Sequence, residues 1–173
     1  MIAVLDVQYL ERGARAACVV LEGWTSARAL EERVVEVDQV EPYVPGQFYR
    51  RELPCLLAVL AQVRATPSVV VVDGYVWLDR AGRPGLGAHL FEALERAVSV
   101  VGVAKTAFGP GQDSAALQVL RGTSKRPLFV TAAGMDPASA AAQVRAMAGE
   151  ARLPWALGRV DALSPGGQIP AGT

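Results

Sequence analysis

Between Ser68 and Gly74 the chain reads SVVVVDG, with four consecutive valines closed by an aspartate. Apolar residues at every position, rather than at alternate ones, mark a strand covered on both faces, as parallel strands are inside a helix-flanked sheet. That run constrains everything around it, because such a sheet needs helices on both sides. The charge at its end raises a chemical question. Ligands of open α/β sheets gather at the carboxyl ends of strands, and Gly74 lets the backbone turn sharply there or lets a ligand approach.

The neighbouring segments fill in the sheet. Residues 2–9 read as a strand and ARAACVVLEG (14–23) as a second, after the turn-like ERG. ALEERVVEVDQV (29–40) fits a helix or a strand; as a strand it completes an antiparallel meander. EPYVPG (41–46) breaks the chain, and Leu53, Leu56, Leu57, Leu60 and Val63 then recur at helical spacing within 47–65, where Pro54 is tolerable only near a first turn. A second helix is predicted over 86–99, a short buried strand over 100–105, a loop or hairpin excursion over 108–127, and a strand over 127–132. Residues 136–151 form a third helix, with Asp136 as N-cap and Pro137 at the first helical position. The expected fold is a single α/β domain over 1–164, a mixed sheet with an antiparallel and a parallel side flanked by helices, followed by a Pro/Gly-rich tail (165–173) that frays.

Composition removes whole classes of function. The 173 residues are 51% hydrophobic, enough for one core, yet no apolar run approaches the roughly 20 residues that span a bilayer. The N-terminus MIAVLDVQYL meets an acid too early for a signal peptide, so a soluble, cytoplasmic protein with no membrane partner is expected. Cys18 and Cys55 stand without metal-ligand spacing and read as small buried groups. Zero net charge means that nucleic-acid binding would need a local cluster of basic side chains. No Ser/His/Asp set, Walker loop or GxGxxG is present, and GPGQD (109–113) lacks the Lys-Ser/Thr of a phosphate loop.

Acids at strand ends remain. Asp6 follows IAVL inside the first strand, and Asp6 and Asp73 on neighbouring strands would face one another. Two close carboxylates repel unless a cation joins them, and oxygen ligands favour magnesium or manganese. Glu52 falls in the first turn of its helix, where the dipole favours negative charge. Lys105 ends the strand VVGVA and points to the same sheet edge. His89, the only histidine, reads by itself as packed between helix and sheet.

Seven segments in order resemble the endonuclease V family, the deoxyinosine 3′ endonucleases of ribonuclease H-like fold: AVLDVQY (3–9), PYVPGQFYRRELP (42–54), VVVDGY (70–75), GLGAHLF (85–91), VGVAKT (101–106), PLFVTAAG (127–134) and RLPWALGRVDAL (152–163). The resemblance implies a magnesium-dependent endonuclease, with manganese able to substitute. It would hydrolyse a phosphodiester one nucleotide to the 3′ side of a deaminated purine, in DNA repair, acting on inosine in DNA or RNA, as a monomer. It places Asp6, Glu52 and Asp73 on the family's metal positions, Asp161 where the family carries an aspartate or histidine, and Lys105 on the lysine near the scissile phosphate. Tyr43, Val44, Pro45 and Gly46 match the wedge that enters the duplex, while Gly74, Tyr75, Gly85 and His89 fall among the substrate-binding positions.

The chain departs from the family after DG, where Val76 stands in the place of a second glycine, the histidine of a histidine-proline-arginine stretch is absent, and the loop carries one extra residue. Gly134-Met135 stands for a glycine-histidine pair, and with only five residues before Asp6 no counterpart of an N-terminal helix is expected. Bulky Val76, Trp77 and Leu78 would close or reshape the lesion pocket. A catalytically weak relative that binds nucleic acid or protein is therefore the alternative reading. A phospho-receiver is disfavoured by the meander without helices and by the lack of an acidic pair after the first strand.

Overall fold

The computed structural model describes residues 1–109 and 113–164. The predicted tail and the middle of GPGQD lie outside the described residues. β1 (Ile2–Tyr9), β2 (Ala14–Leu21) and β3 (Glu31–Val37) are followed by α1 (Tyr49–Leu60), β4 (Val69–Asp73), α2 (Leu86–Ala93) and β5 (Ser99–Ala104). Then come β6 (Leu117–Val119), β7 (Leu128–Ala133), α3 (Pro137–Ala146) and α4 (Trp155–Leu163). One sheet has the order β3-β2-β1-β4-β5-β7-β6.

The ambiguous segment 29–40 is a strand, because its alternate residues pair along β2 and complete the meander. β1, β4 and β5 run parallel, as the valine run requires. The far side differs from the expected parallel edge, since β7 returns antiparallel to β5 and β6 antiparallel to β7. Helices cover both faces: α3 and α4 pack on Val4, Val71 and Val101, while α1 and α2 pack on Leu5, Val70 and Val72. Successive residues of each strand feed opposite cores, so the central valines of β4 are buried on both sides.

All the helices with sequence-level bounds end early. α2 stops at Ala93 rather than 99, because Glu95 and Arg96 take left-handed backbone angles (φ 55° and 59°) that turn the chain into β5. α3 starts as expected, the Asp136 side chain accepting from Ser139 N–H, but ends at Ala146, not 151. Pro54 sits inside α1. The turns leading into that helix close by tight bonds, Arg50 N–H to Gln47 O and Arg51 N–H to Phe48 O, before regular α geometry begins. No helix among the described residues is long and apolar enough to cross a membrane.

Candidate active site

Leu5 of β1 pairs with Val72 of β4, so the next residues along these parallel strands are Asp6 and Asp73. Asp6 alternates with Val4, and Asp73 with Val71, which directs both toward the side covered by α3 and α4. Asp73 pairs with Val103, and Lys105 follows two residues on with the same facing. Its Nζ donates to Asp73 Oδ2 at 2.9 Å. Burial opposes the lysine charge, but this bond and the charges of Asp73, Asp161 and Asp6 outweigh it and hold the ammonium above its usual range.

Glu52 arrives from the other side of the sheet, in the first turn of α1. Tyr9 O–H donates to Glu52 Oε1 at 3.3 Å. Burial is the main force pushing the Glu52 carboxyl up to about 7; the Tyr9 bond opposes it, while the charges of Asp6 and Asp73 push the same way. Those two charges show that the three acids share one electrostatic neighbourhood. The Tyr9 hydroxyl is in turn pushed well above its usual range by burial and by the Glu52 charge.

Asp161 lies on the exposed side of α4. Gln8 Nε2 reaches it, donating to Asp161 Oδ1 at 3.1 Å and to Asp6 Oδ2 at 3.1 Å. Buried Ser164, at the end of α4, donates through Oγ to the same Asp6 Oδ2 at 2.9 Å. Each of these carboxylates is thus held through one oxygen. Among the described residues no hydrogen bond reaches Asp6 Oδ1, Glu52 Oε2 or Asp73 Oδ1.

Among the described residues no three His, Cys, Asp or Glu side chains stand close enough together to hold a metal ion as placed. The donor set nevertheless fits a hard cation. Asp6, Glu52 and Asp73 line one cavity, supply only oxygens, and keep an unbonded oxygen each. Lys105 and Asp161 line a narrower cleft on the other side of the Asp6–Asp73 pair.

The cavity itself measures about 810 Å³, within the usual range of small-ligand sites. Gly46, Gly74, Tyr75, Gly85 and His89 of the expected substrate positions line it. His89 is not packed between helix and sheet, as its sequence context suggested. It stacks on Tyr49 of α1, ring centroids 3.5 Å apart and planes 13° from parallel, and burial lowers its pKa. Tyr75 donates through its hydroxyl to Thr106 O at 2.6 Å and sets its ring against the edge of Phe108.

The departure at 76–78 has a different effect from the one expected. Val76 is fully buried, its N–H donating to Thr131 Oγ1 at 2.8 Å, and Trp77 Nε1 donates to Ala132 O at 3.0 Å. Neither lines the cavity, whereas Leu78 does. Val76 and Trp77 anchor the loop into the sheet, while Leu78 forms part of the cavity lining. Gly102 makes the room, since a Cβ there would stand 2.6 Å from Gly74 O and 2.9 Å from Val76 N.

Tyr43, Val44 and Pro45 are exposed and outside the cavity lining, with only Gly46 at its mouth. The Tyr43 ring meets the edge of Phe48 at 6.4 Å, and the Arg51 guanidinium lies 4.2 Å from the Tyr9 ring centroid. Gln8, Tyr9, Tyr49 and Ser164 were not singled out from the sequence. A period-two count from Asp6 places Gln8 on the same face, a signal available for that residue; contacts made by Tyr49 and Ser164 depend on helix packing.

Comparison with known proteins gives a consistent result. The family model described as Endonuclease V matches residues 1–162. An Endonuclease V of Xylella fastidiosa is 38% identical over 107 residues, 61% of this chain and 43% of that protein. The matched stretch therefore spans less than half the length of that curated relative. The structure of Endonuclease V from Ciona intestinalis, in complex with a 24mer DNA containing an inosine followed by a ribo-adenosine, superimposes with a TM-score of 0.81. It is 20% identical, with 94% of this chain and 83% of that chain covered, which shows the fold. The Endonuclease V structure from Streptomyces avermitilis matches at 27% identity and TM-score 0.69, covering 94% and 78% of the two chains.

Proposed function

The chain belongs to the endonuclease V family, and from that premise we propose that it is a divalent-metal-dependent endonuclease. In this reading it hydrolyses a phosphodiester on the 3′ side of a deaminated purine, inosine in DNA or in RNA, as a repair activity. The observation that carries the reading is that Asp6, Glu52 and Asp73 all line one cavity, together with the rings of Phe48, Tyr49, Tyr75 and His89 and the backbone of Gly74 and Gly85. Inosine-containing DNA is bound by the Ciona relative, and the same ligand class suits this cavity.

Asp6, Glu52 and Asp73 are the residues that would hold magnesium, or manganese in its place. Such a cation, when bound, lowers the pKa of a water and offsets charge developing on phosphate oxygens. The Lys105 ammonium, held charged by Asp73, offers a second positive charge for a phosphate oxygen once a ligand competes for it. Asp161 stands beside that lysine in the narrow cleft and is a fourth acid of the catalytic set. Tyr43, Val44, Pro45 and Gly46 form the wedge: an exposed aromatic ring on a proline-stiffened loop fills the space of an extruded base, which offsets a few kcal/mol of lost stacking. Gly74, Tyr75, Gly85 and His89 line the pocket that receives the base, His89 stacked on Tyr49 and its pKa lowered by burial. The partner is nucleic acid, and the chain acts as a soluble cytoplasmic monomer.

The test is cleavage of duplexes bearing deoxyinosine, uracil, an abasic site or no lesion, and of inosine RNA, in magnesium or manganese. Selective cutting beyond inosine, abolished by Asp6→Ala or Asp73→Ala, is the expected result. A second reading, a binding module of weak catalytic power, is favoured by the lack of three pre-gathered ligands among the described residues. Tight inosine-strand binding without cutting in either metal would select it.

A further inference from the structure

Asp161 reaches the acid cluster by an unusual route. It projects from the exposed side of α4, while Asp6 lies buried in β1, and the two belong to elements far apart in the chain. What joins them is a single nitrogen: Gln8 Nε2 stands 3.1 Å from Asp6 Oδ2 and 3.1 Å from Asp161 Oδ1. An amide NH₂ carries two protons, so both bonds are made at once. Ser164 Oγ adds a second donor to the same Asp6 oxygen at 2.9 Å. Both donors sit on Oδ2, which fixes the rotamer of Asp6 and turns the unbonded Oδ1 away from them.

We propose that Gln8 is a positioning residue that ties Asp161 to Asp6, setting the orientation of both carboxylates at the cation site. The inference rests on the reading in the preceding subsection for what the site holds, but not for the tie itself. Both acids line the narrow cleft with Lys105, whose ammonium offsets their mutual repulsion, so the neutral amide bridge acts on their orientation. Outer partners of this kind typically change metal affinity by about 10–100-fold when removed. The cost here falls on orientation, because the Gln8 side chain bonds Asp6 and Asp161 and makes no bond to Glu52.

The test uses Gln8→Met, which keeps the length of the side chain and removes its donors, with Asp161→Ala and the double variant. Manganese affinity is measured by calorimetry on each, and the Gln8 side-chain NH₂ resonances are followed by NMR in metal-free protein. The expected results are a tenfold or greater loss of manganese affinity in Gln8→Met, no further loss when it is combined with Asp161→Ala, and displaced NH₂ resonances that move in Asp161→Ala. Equal affinity in Gln8→Met, losses that multiply in the double variant, or resonances indifferent to Asp161→Ala overturn the assignment. If the parent chain binds no manganese, the NMR result alone decides. A chain that shows the tie yet cuts no inosine strand retains this assignment and ends the nuclease reading; one that cuts inosine strands with independent Gln8 and Asp161 effects does the reverse.

Discussion

Glu52 links burial to chemistry through its carboxyl, pushed up to about 7 chiefly by desolvation. Its pKa in the folded chain exceeds the ordinary value of 4.5, so the folded state holds a proton that the unfolded state has lost. In metal-free protein this group's contribution to stability is complete below pH 4.5 and is lost as pH rises toward about 7, above which the slope vanishes. Glu52→Gln should remove that slope, raising the urea midpoint at pH 8 relative to the parent chain. A cation needs the ionised form, so manganese affinity should climb between pH 5 and 7 and level off above it, with proton release measurable by calorimetry in two buffers. Tyr9→Phe tests the same balance from the other side. Loss of its bond to Glu52 Oε1 removes an influence that lowers the pKa, although the bulk of the ring still buries the acid. The midpoint of cation binding should therefore move to higher pH, read from the same titrations.

At the scale of elements, two residues show how loops and helices are held where the site needs them. Gly102 lies in the middle of β5, and a Cβ there would meet Gly74 O at 2.6 Å, Thr131 Oγ1 at 2.8 Å and Val76 N at 2.9 Å. Gly102→Val should cost about 1–3 kcal/mol by overpacking, measured by urea unfolding, and should displace the Gly74–Val76 turn that carries one cavity wall. Arg121 does comparable work beyond β6. Its buried guanidinium donates to the carbonyls of Arg145, Met147, Gly149, Ala151 and Arg152, the stretch where α3 ends and the chain turns toward α4. Burial lowers its pKa without discharging it. Arg121→Met should lose about 2–4 kcal/mol, since it strands buried acceptors as well as removing the bonds. The early end of α3 belongs here too: helical spacing in DPASAAAQVRAMAGEA continues to 151, but carbonyls that turn inward to Arg121 cannot continue the helix.

For the molecule as a whole, zero net charge rules out a general attraction for nucleic acid, so any binding has to come from local side chains. Arg50, exposed at the cavity rim between the Tyr43–Gly46 loop and Glu52, is one such residue. Arg50→Ala should reduce the slope of log affinity against log salt by about 1, measured with an inosine-bearing strand, and by the same amount with a strand of unmodified bases.

Much of this architecture was legible in the chain. A run of valines closed by Asp-Gly reads as a doubly covered strand with its acid at the end, so Asp73 was placed at the sheet edge, Lys105 at the end of a later strand and Asp6 inside a neighbouring one. Those inferences are local, and local geometry is what the sequence carries directly. The reversal of β7, the stack of His89 on Tyr49, the burial of Val76 and the bridge from Asp6 through Gln8 to Asp161 were decided only by tertiary structure. Each depends on which elements meet across space, and that choice is set by the packing of two cores on opposite faces of one sheet, which no single segment encodes.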